Sequence, residues 1–300
     1  MNKLFSKKVC VLLLLCLVGV TAFAQKGYKK AYTLFDANGK EIGYDELVAA
    51  LAQPDVVFIG EIHNCCITHW LEYELARSLY AIHKDKLMMG AEMLEADNQL
   101  ILDEYMNRQG VQGEISYDRF EAEARLWDNY STDYAPFVFF AKENRIPFIA
   151  TNVPRRYANV VKDRGLQYLD SLSDEAKRYL PPLPVSFTYK EEEQGAFALM
   201  HMMGKSKGNA EYLAQAQAIK DATMGWFIAR NMKSKFLHFN GNYHSDFQGG
   251  IIPYLLQYRP GTTVKTVCSV RQESIGQLDE ENKGRADFYI CVPEDMTSTY

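Results

Sequence analysis

The sequence predicts a three-layer α/β fold, a mainly parallel central sheet flanked by helices, with a helical cap inserted late in the chain. Apolar runs of strand length recur as Val56-Val57-Phe58-Ile59, Leu87-Met88-Met89 and Phe236-Leu237-His238-Phe239, and near-continuous apolar runs fit strands buried on both faces of a parallel sheet. Stretches with apolar residues at helical spacing separate them, the alternation that wraps a parallel sheet in helices. Each run also ends alike, on a glycine followed by groups able to bind metal or move protons: Gly60-Glu61-Ile62-His63, Gly90-Ala91-Glu92 and Gly241-Asn242-Tyr243-His244.

The chain opens on a predicted secretion signal. Lys3, Lys7 and Lys8 precede an apolar stretch from Val9 to Val20, too short for a membrane span, and Ala22-Phe23-Ala24 is a small-x-small cleavage motif before Gln25. Residues 1–24 are therefore assigned to the signal and 25–300 to the folded domain, which places the protein outside the cytoplasm. Cys16 follows Leu15, whereas a small residue precedes a lipidated cysteine, so a soluble periplasmic form is favoured over a lipoprotein.

Within the domain, Gln25 to Leu51 reads as a polar hairpin turning at Asp36-Ala37-Asn38-Gly39, then a short helix from about Tyr44. The first apolar run follows. His69 to Ile82 carries Trp70, Leu71, Leu75, Leu79 and Ile82 at helical spacing and is expected to pack on the sheet. The strand Leu87 to Ala91, helices at Leu100 to Met106 and Tyr134 to Asn144, and the strand Pro147 to Thr151 continue the alternation. It lapses between Tyr157 and Tyr212, a stretch containing Pro181-Pro182-Leu183-Pro184, Glu191-Glu192-Glu193 and Met200-His201-Met202-Met203. Helical pattern without a new strand predicts the cap, at about 157–211. A long helix from Tyr212 to Met232, the strand ending at Gly241, a helix from Ile251 to Tyr258 and two final strands complete the prediction.

Composition excludes several functions. A formal charge of −5 over 300 residues, with no basic run, argues against nucleic acid as a partner. Cys65, Cys66, Cys268 and Cys291 are too few for a disulfide scaffold. Cys268 and Cys291 sit in neighbouring strand-like runs, open to pairing, while Cys65-Cys66 reads as a buried apolar pair. Covalent c-type haem attachment, a nucleophile elbow, a P-loop and a dinucleotide fingerprint have no matching motif.

The strand ends carry the candidate chemistry. Ligands of open α/β sheets sit at the carboxyl ends of strands, so Glu61, His63, Glu92 and His244 are expected to converge there. Carboxylate with imidazole suits a divalent transition metal or a general acid/base pair. Glu92 lies among apolar residues and needs a partner. Arg155, leaving the end of another strand beside Arg156, is the candidate, or else a clamp for a ligand carboxylate. His69 either faces the site or stands in solvent. Asp221 on the long helix reads as an internal ion-pair or capping residue, or else lines the crevice.

The ordered set Phe58-Ile59-Gly60-Glu61-Ile62-His63 with His69, Gly90-Ala91-Glu92-Met93, Ala150-Thr151-Asn152-Val153-Pro154-Arg155, Ala216 to Met224, and Asn240-Gly241-Asn242-Tyr243-His244 followed by Gly250-Ile251-Ile252-Pro253 resembles the ChaN-type haem-binding uptake family. That family belongs to a wider group with TIKI and TraB proteins and erythromycin esterases. The resemblance implies non-covalent haem, engaged by Arg155, Arg156, Tyr189 and His201, in an exported protein of haem or iron uptake. It implies as partners a haem or iron source, outer-membrane uptake machinery and a second copy in a homodimer. The wider group implies the alternative, a metal-dependent protease or esterase with Glu61, His63, Glu92 and His244 as catalytic or metal-binding residues. The chain departs from the family pattern where Asn64 to Thr68 leaves only His69 of a histidine pair, and in having no clear lipid-attachment cysteine.

Overall fold

The computed structural model describes residues 29–107, 114–188 and 209–300. Strands β1 (Thr33–Asp36) and β2 (Glu41–Ile42) form a hairpin, and the Asp36 carboxylate fixes its turn by accepting from the backbone N–H groups of Asn38 and Lys40. Helix α1 (Tyr44–Leu51), β3 (Val56–Glu61), α2 (Cys66–His83) and β4 (Leu87–Glu95) follow. Next come α3 (Gln99–Tyr105), α4 (Tyr117–Glu123), a π-helical turn at Tyr130–Tyr134, α5 (Ala135–Glu143), β5 (Phe148–Asn152) and α6 (Arg155–Arg164). The long α7 (Ala210–Asn231), β6 (Lys235–Gly241), α8 (Ile251–Tyr258), β7 (Val264–Gln272) and β8 (Phe288–Pro293) close the unit.

The eight strands of the described residues join one sheet in the order β2-β1-β8-β7-β3-β6-β4-β5. From β8 to β5 neighbours run parallel; only β1 is antiparallel, to both β2 and β8. Alternation along β3 sorts its side chains between two interiors. Val57 and Ile59 enter the cluster with Leu71, Leu75 and Leu79 of α2 and Phe137 of α5. Val56 and Phe58 enter the opposite cluster with Met224 and Ile228 of α7 and Ile251 and Leu255 of α8. These are the three layers. Each large apolar side chain fully buried there contributes roughly 1.5–3 kcal/mol, which fixes the strands and so the positions of their ends.

Several boundaries differ from the pattern-based expectation for physical reasons. Strand β4 runs past its apolar stretch to Glu95, because its pairing with β5 shifts register between Ala91 and Glu95. Helix α2 buries Thr68, Leu71, Glu72, Leu75, Ala76 and Leu79, a stripe at 100° per residue that leaves Trp70 and Ile82 facing solvent. Helix α4 was not expected. Cys65 is buried but Cys66 is exposed, and Cys268 and Cys291 are free thiols. In the β7–β8 register Cys268 stands beside Tyr289 and Cys291 beside Val270, an offset that keeps their sulfurs from bonding. In the stretch expected to form the cap, Ala158 and Val161 of α6 pack with Leu169 and Leu180 against Ala216 and Ile219 of α7. The acidic triplet, the Met-rich segment, Tyr189 and His201 lie outside the described residues. Among the described residues no helix is long and apolar enough to cross a membrane.

Candidate functional site

The three strand ends meet because β3, β6 and β4 are neighbours in the sheet. Glu61 follows Val57 and Ile59 in the alternation and so faces α2, buried. Its Oε1 accepts from the Tyr134 hydroxyl at 2.7 Å and lies 2.5 Å from His63 Nδ1. His69 and Glu72, three apart on α2 and therefore on one helix face, reach the same carboxylate. His69 Nδ1 is 3.1 Å from Glu72 Oε2 and 3.6 Å from Glu61 Oε2. Its Nε2 donates to the backbone carbonyl of His63 at 3.1 Å. The same carbonyl accepts from Asn129 Nδ2, which also donates to Asp133 at 2.7 Å. Asp133 and Tyr134 both come from the π-helical turn, a local irregularity that re-aims side chains toward the strand end.

A second network occupies the other face. Glu92 continues the face that Met88 presents to α7, just where the pairing of β4 with β5 begins to shift. Its Oε2 accepts from the Gly241 N–H at 2.8 Å, and its Oε1 is 3.2 Å from His244 Nε2. Asp221, from the middle of α7, stands 2.5 Å from His244 Nδ1. Burial alone would push the His244 imidazole toward neutrality. The two carboxylates outweigh it and raise its pKa to about 10. Burial would likewise raise Glu92, but the charge and hydrogen bond of His244 hold it well below the ordinary carboxylate range. His244 is thus a buried cation fixed by two acids.

His63 links the networks. Its side chain is 42% exposed, bound to Glu61 through Nδ1 and edge-on to Trp127 at 5.0 Å. Two glycines allow this approach. A Cβ on Gly241 would come within 2.7 Å of the His63 ring, and a Cβ on Gly60 within 2.6 Å of the Asn242 side chain and 2.9 Å of the Val267 carbonyl. Each Gly-x-x-His glycine therefore makes room for the segment carrying the other, and Asn242 is locked there by reciprocal hydrogen bonds to the backbone of Ser269. Burial, then repulsion from Glu72, raises Glu61 to about 7. Burial raises Glu72 itself to about 8. His63 is pulled down by burial yet ends above its ordinary value through its bond to Glu61.

In place of one four-residue cage, Glu61, His63, Glu92 and His244 thus form two hydrogen-bonded pairs around Gly241. Asp221 on Nδ1 and Glu92 on Nε2 hold the His244 imidazole between two carboxylates. Among the described residues the side chains that do group within metal-binding reach are Glu61, His69 and Glu72. Arg155 is not the partner of Glu92: its Nε lies 3.6 Å from Glu95, whose carboxylate also accepts the Arg155 backbone N–H. Arg156 pairs with Asp97 on the surface. Arg155 does line a cavity of about 500 Å³ with Trp127, Asn129, Thr299 and Tyr300. Glu72, Asn129, Asp133 and Tyr134 escaped the sequence reading. Only Glu72 left a signal there, its spacing of three from His69.

Residues 47–255 match the family model described as haem-binding uptake, Tiki superfamily, ChaN. No curated protein matches the sequence. Among solved structures, ChaN of Campylobacter jejuni, described with cofacial heme binding, is 18% identical with a TM-score of 0.65, over 87% of this chain and 97% of that one. Erythromycin esterase EreC, in its open conformation, is 11% identical with a TM-score of 0.49, over 89% and 99%. A Bacillus cereus protein is 11% identical with a TM-score of 0.46, over 83% and 90%. With a family match spanning most of its length, the chain belongs to the ChaN-type haem-binding uptake family of the Tiki superfamily.

Proposed function

We propose that the chain binds haem non-covalently as an exported, periplasmic protein of haem or iron uptake. Beyond family membership, the observation that carries this reading is the cavity of about 500 Å³ whose lining joins the Trp127 and Tyr300 rings to the Arg155 guanidinium. Haem as cargo asks for apolar ring surface, a cation for its propionates and a ligand for its iron. Trp127 and Tyr300 supply the first, Arg155 the second, and the exposed Tyr300 phenol is a ligand candidate from the described residues, beside Tyr189 and His201 from the sequence. Outer-membrane uptake machinery would deliver the haem, and a homodimer would shield it. Titrating purified protein with haem should give saturable Soret absorption that weakens in Arg155→Ala and Trp127→Ala. Absence of saturable binding at micromolar haem refutes the reading. Export is tested separately, by finding Gln25 as the mature N-terminus in a periplasmic fraction.

One observation favours a second reading, a hydrolase. His63 is half exposed, with Nδ1 held by Glu61, so its Nε2 is placed as a general base beside the fixed Glu92–His244 charge pair. Turnover of activated esters that disappears in His63→Ala, without loss of folding, would select it. A metal-dependent version predicts loss of activity on chelation.

A further inference from the structure

We propose that Glu61, His69 and Glu72 form a binding site for one divalent first-row transition-metal ion, separate from any haem. Their candidate ligand atoms lie within 4.8 Å of one another. All three residues are buried, Glu72 completely. The mixture of one imidazole and two carboxylates suits manganese, iron or zinc.

Three features point to an ion. First, two carboxyl oxygens, Glu61 Oε2 and Glu72 Oε1, are buried without any hydrogen-bond partner, a rare condition for buried polar atoms. Second, the His69 ring is oriented by its neighbours. Its Nε2 faces the His63 carbonyl, which can only accept, so that nitrogen carries the hydrogen and Nδ1 faces both glutamates. A metal-bound histidine is held in this way, its remote N–H fixed by a carbonyl or carboxylate. Third, Glu61 is oriented as carboxylate ligands are. Oε1 is engaged by Tyr134 and His63, and Oε2 points to His69 with nothing to bind. Asp133, on the far side of the imidazole at 3.5 Å, is already committed to Asn129 and Thr299. It acts on the ring from behind and is not counted as a ligand. The competing explanation is a single proton shared by Glu61 and Glu72.

The test is metal analysis of the purified full chain, checked to be free of haem by the lack of Soret absorption so that any iron counted is not porphyrin iron. Protein is measured as isolated and after incubation with Mn²⁺, Fe²⁺ or Zn²⁺ and desalting, with the melting temperature recorded alongside. The expected result is about one ion per chain that raises the melting temperature of the wild-type protein. That ion is absent from Glu72→Gln and His69→Gln and retained by His244→Asn. Two results overturn the site: wild-type protein that neither keeps a metal nor melts higher with one, which leaves the shared proton, or metal that survives Glu72→Gln and His69→Gln but is lost in His244→Asn. The wild-type measurement does not depend on either variant folding, and it is independent of whether haem binds.

Discussion

The two Gly-x-x-His segments share one spacing and end in opposite electrostatic states. His63 is half exposed, bonded to a single carboxylate, and borders a cavity through Trp127. His244 is buried between Glu92 and Asp221, charged and fully engaged. The spacing places a histidine just beyond a strand end; what the histidine becomes depends on which elements close over it. At β3 the α2 face supplies one further acid, Glu72, and a histidine, His69, which turn to Glu61 and leave His63 open on one side. At β6 helix α7 supplies one acid that, with Glu92, traps a cation. An accessible imidazole and a fixed charge, side by side, are what acid/base or ligand-binding chemistry uses.

The sharpest way to break this contrast is to remove each imidazole. His244→Ala leaves two buried carboxylates uncompensated and should cost about 3–5 kcal/mol in urea unfolding. Equal losses for His63→Ala would show that both histidines are structural.

The same buried cation sets a pH dependence. Its folded pKa, about 10, lies above the ordinary 6.5, so its contribution is complete below 6.5 and is lost as pH rises toward 10. Glu61 and Glu72, raised to about 7 and about 8, also favour the folded state at low pH and lose that contribution as pH climbs from 4.5 through those values. Stability of the metal-free wild-type protein should therefore fall from about pH 4.5 to 10. In His244→Asn the slope above pH 8 should flatten while the slope below it persists.

The glycines come next. Gly60→Ala meets the Val267 backbone carbonyl, which cannot swing away, and should cost about 1–3 kcal/mol. Gly241→Ala crowds the half-exposed His63 ring and no backbone atom, so its smaller thermal shift should come with a displaced His63 resonance and an altered titration by NMR. The smallest effect is His63→Ala itself, about 1 kcal/mol or less for a half-exposed pair, because the buried Glu61 retains its bond to Tyr134.

Much of this was legible in the chain. Buried parallel strands are apolar at nearly every position, so β3, β4 and β6 stood out, and the groups at their ends were read off directly. The pairing of Glu92 with Arg155 was misjudged because β4 continues through a bulge that places Glu95 opposite Asn152 beside the arginine, while Glu92, on the α7 face with Met88, meets His244. Tyr134 and Asp133 were invisible as site residues because a π-helical turn, with no period of its own in sequence, aims them inward. Trp70 was misassigned because a single apolar residue cannot say which side of a helical stripe it occupies.

The sequence by itself determined the α/β class, the strands and the chemical types delivered to their carboxyl ends, since hydrophobic periodicity and glycine placement act locally along the chain. Only the tertiary structure decided the partners. Strand order put β6 between β3 and β4, α7 brought Asp221 to His244, and α2 brought Glu72 to Glu61. Hydrogen bonds and charge interactions fall off within a few ångströms. Their outcome therefore rests on how distant segments pack, which no local pattern encodes.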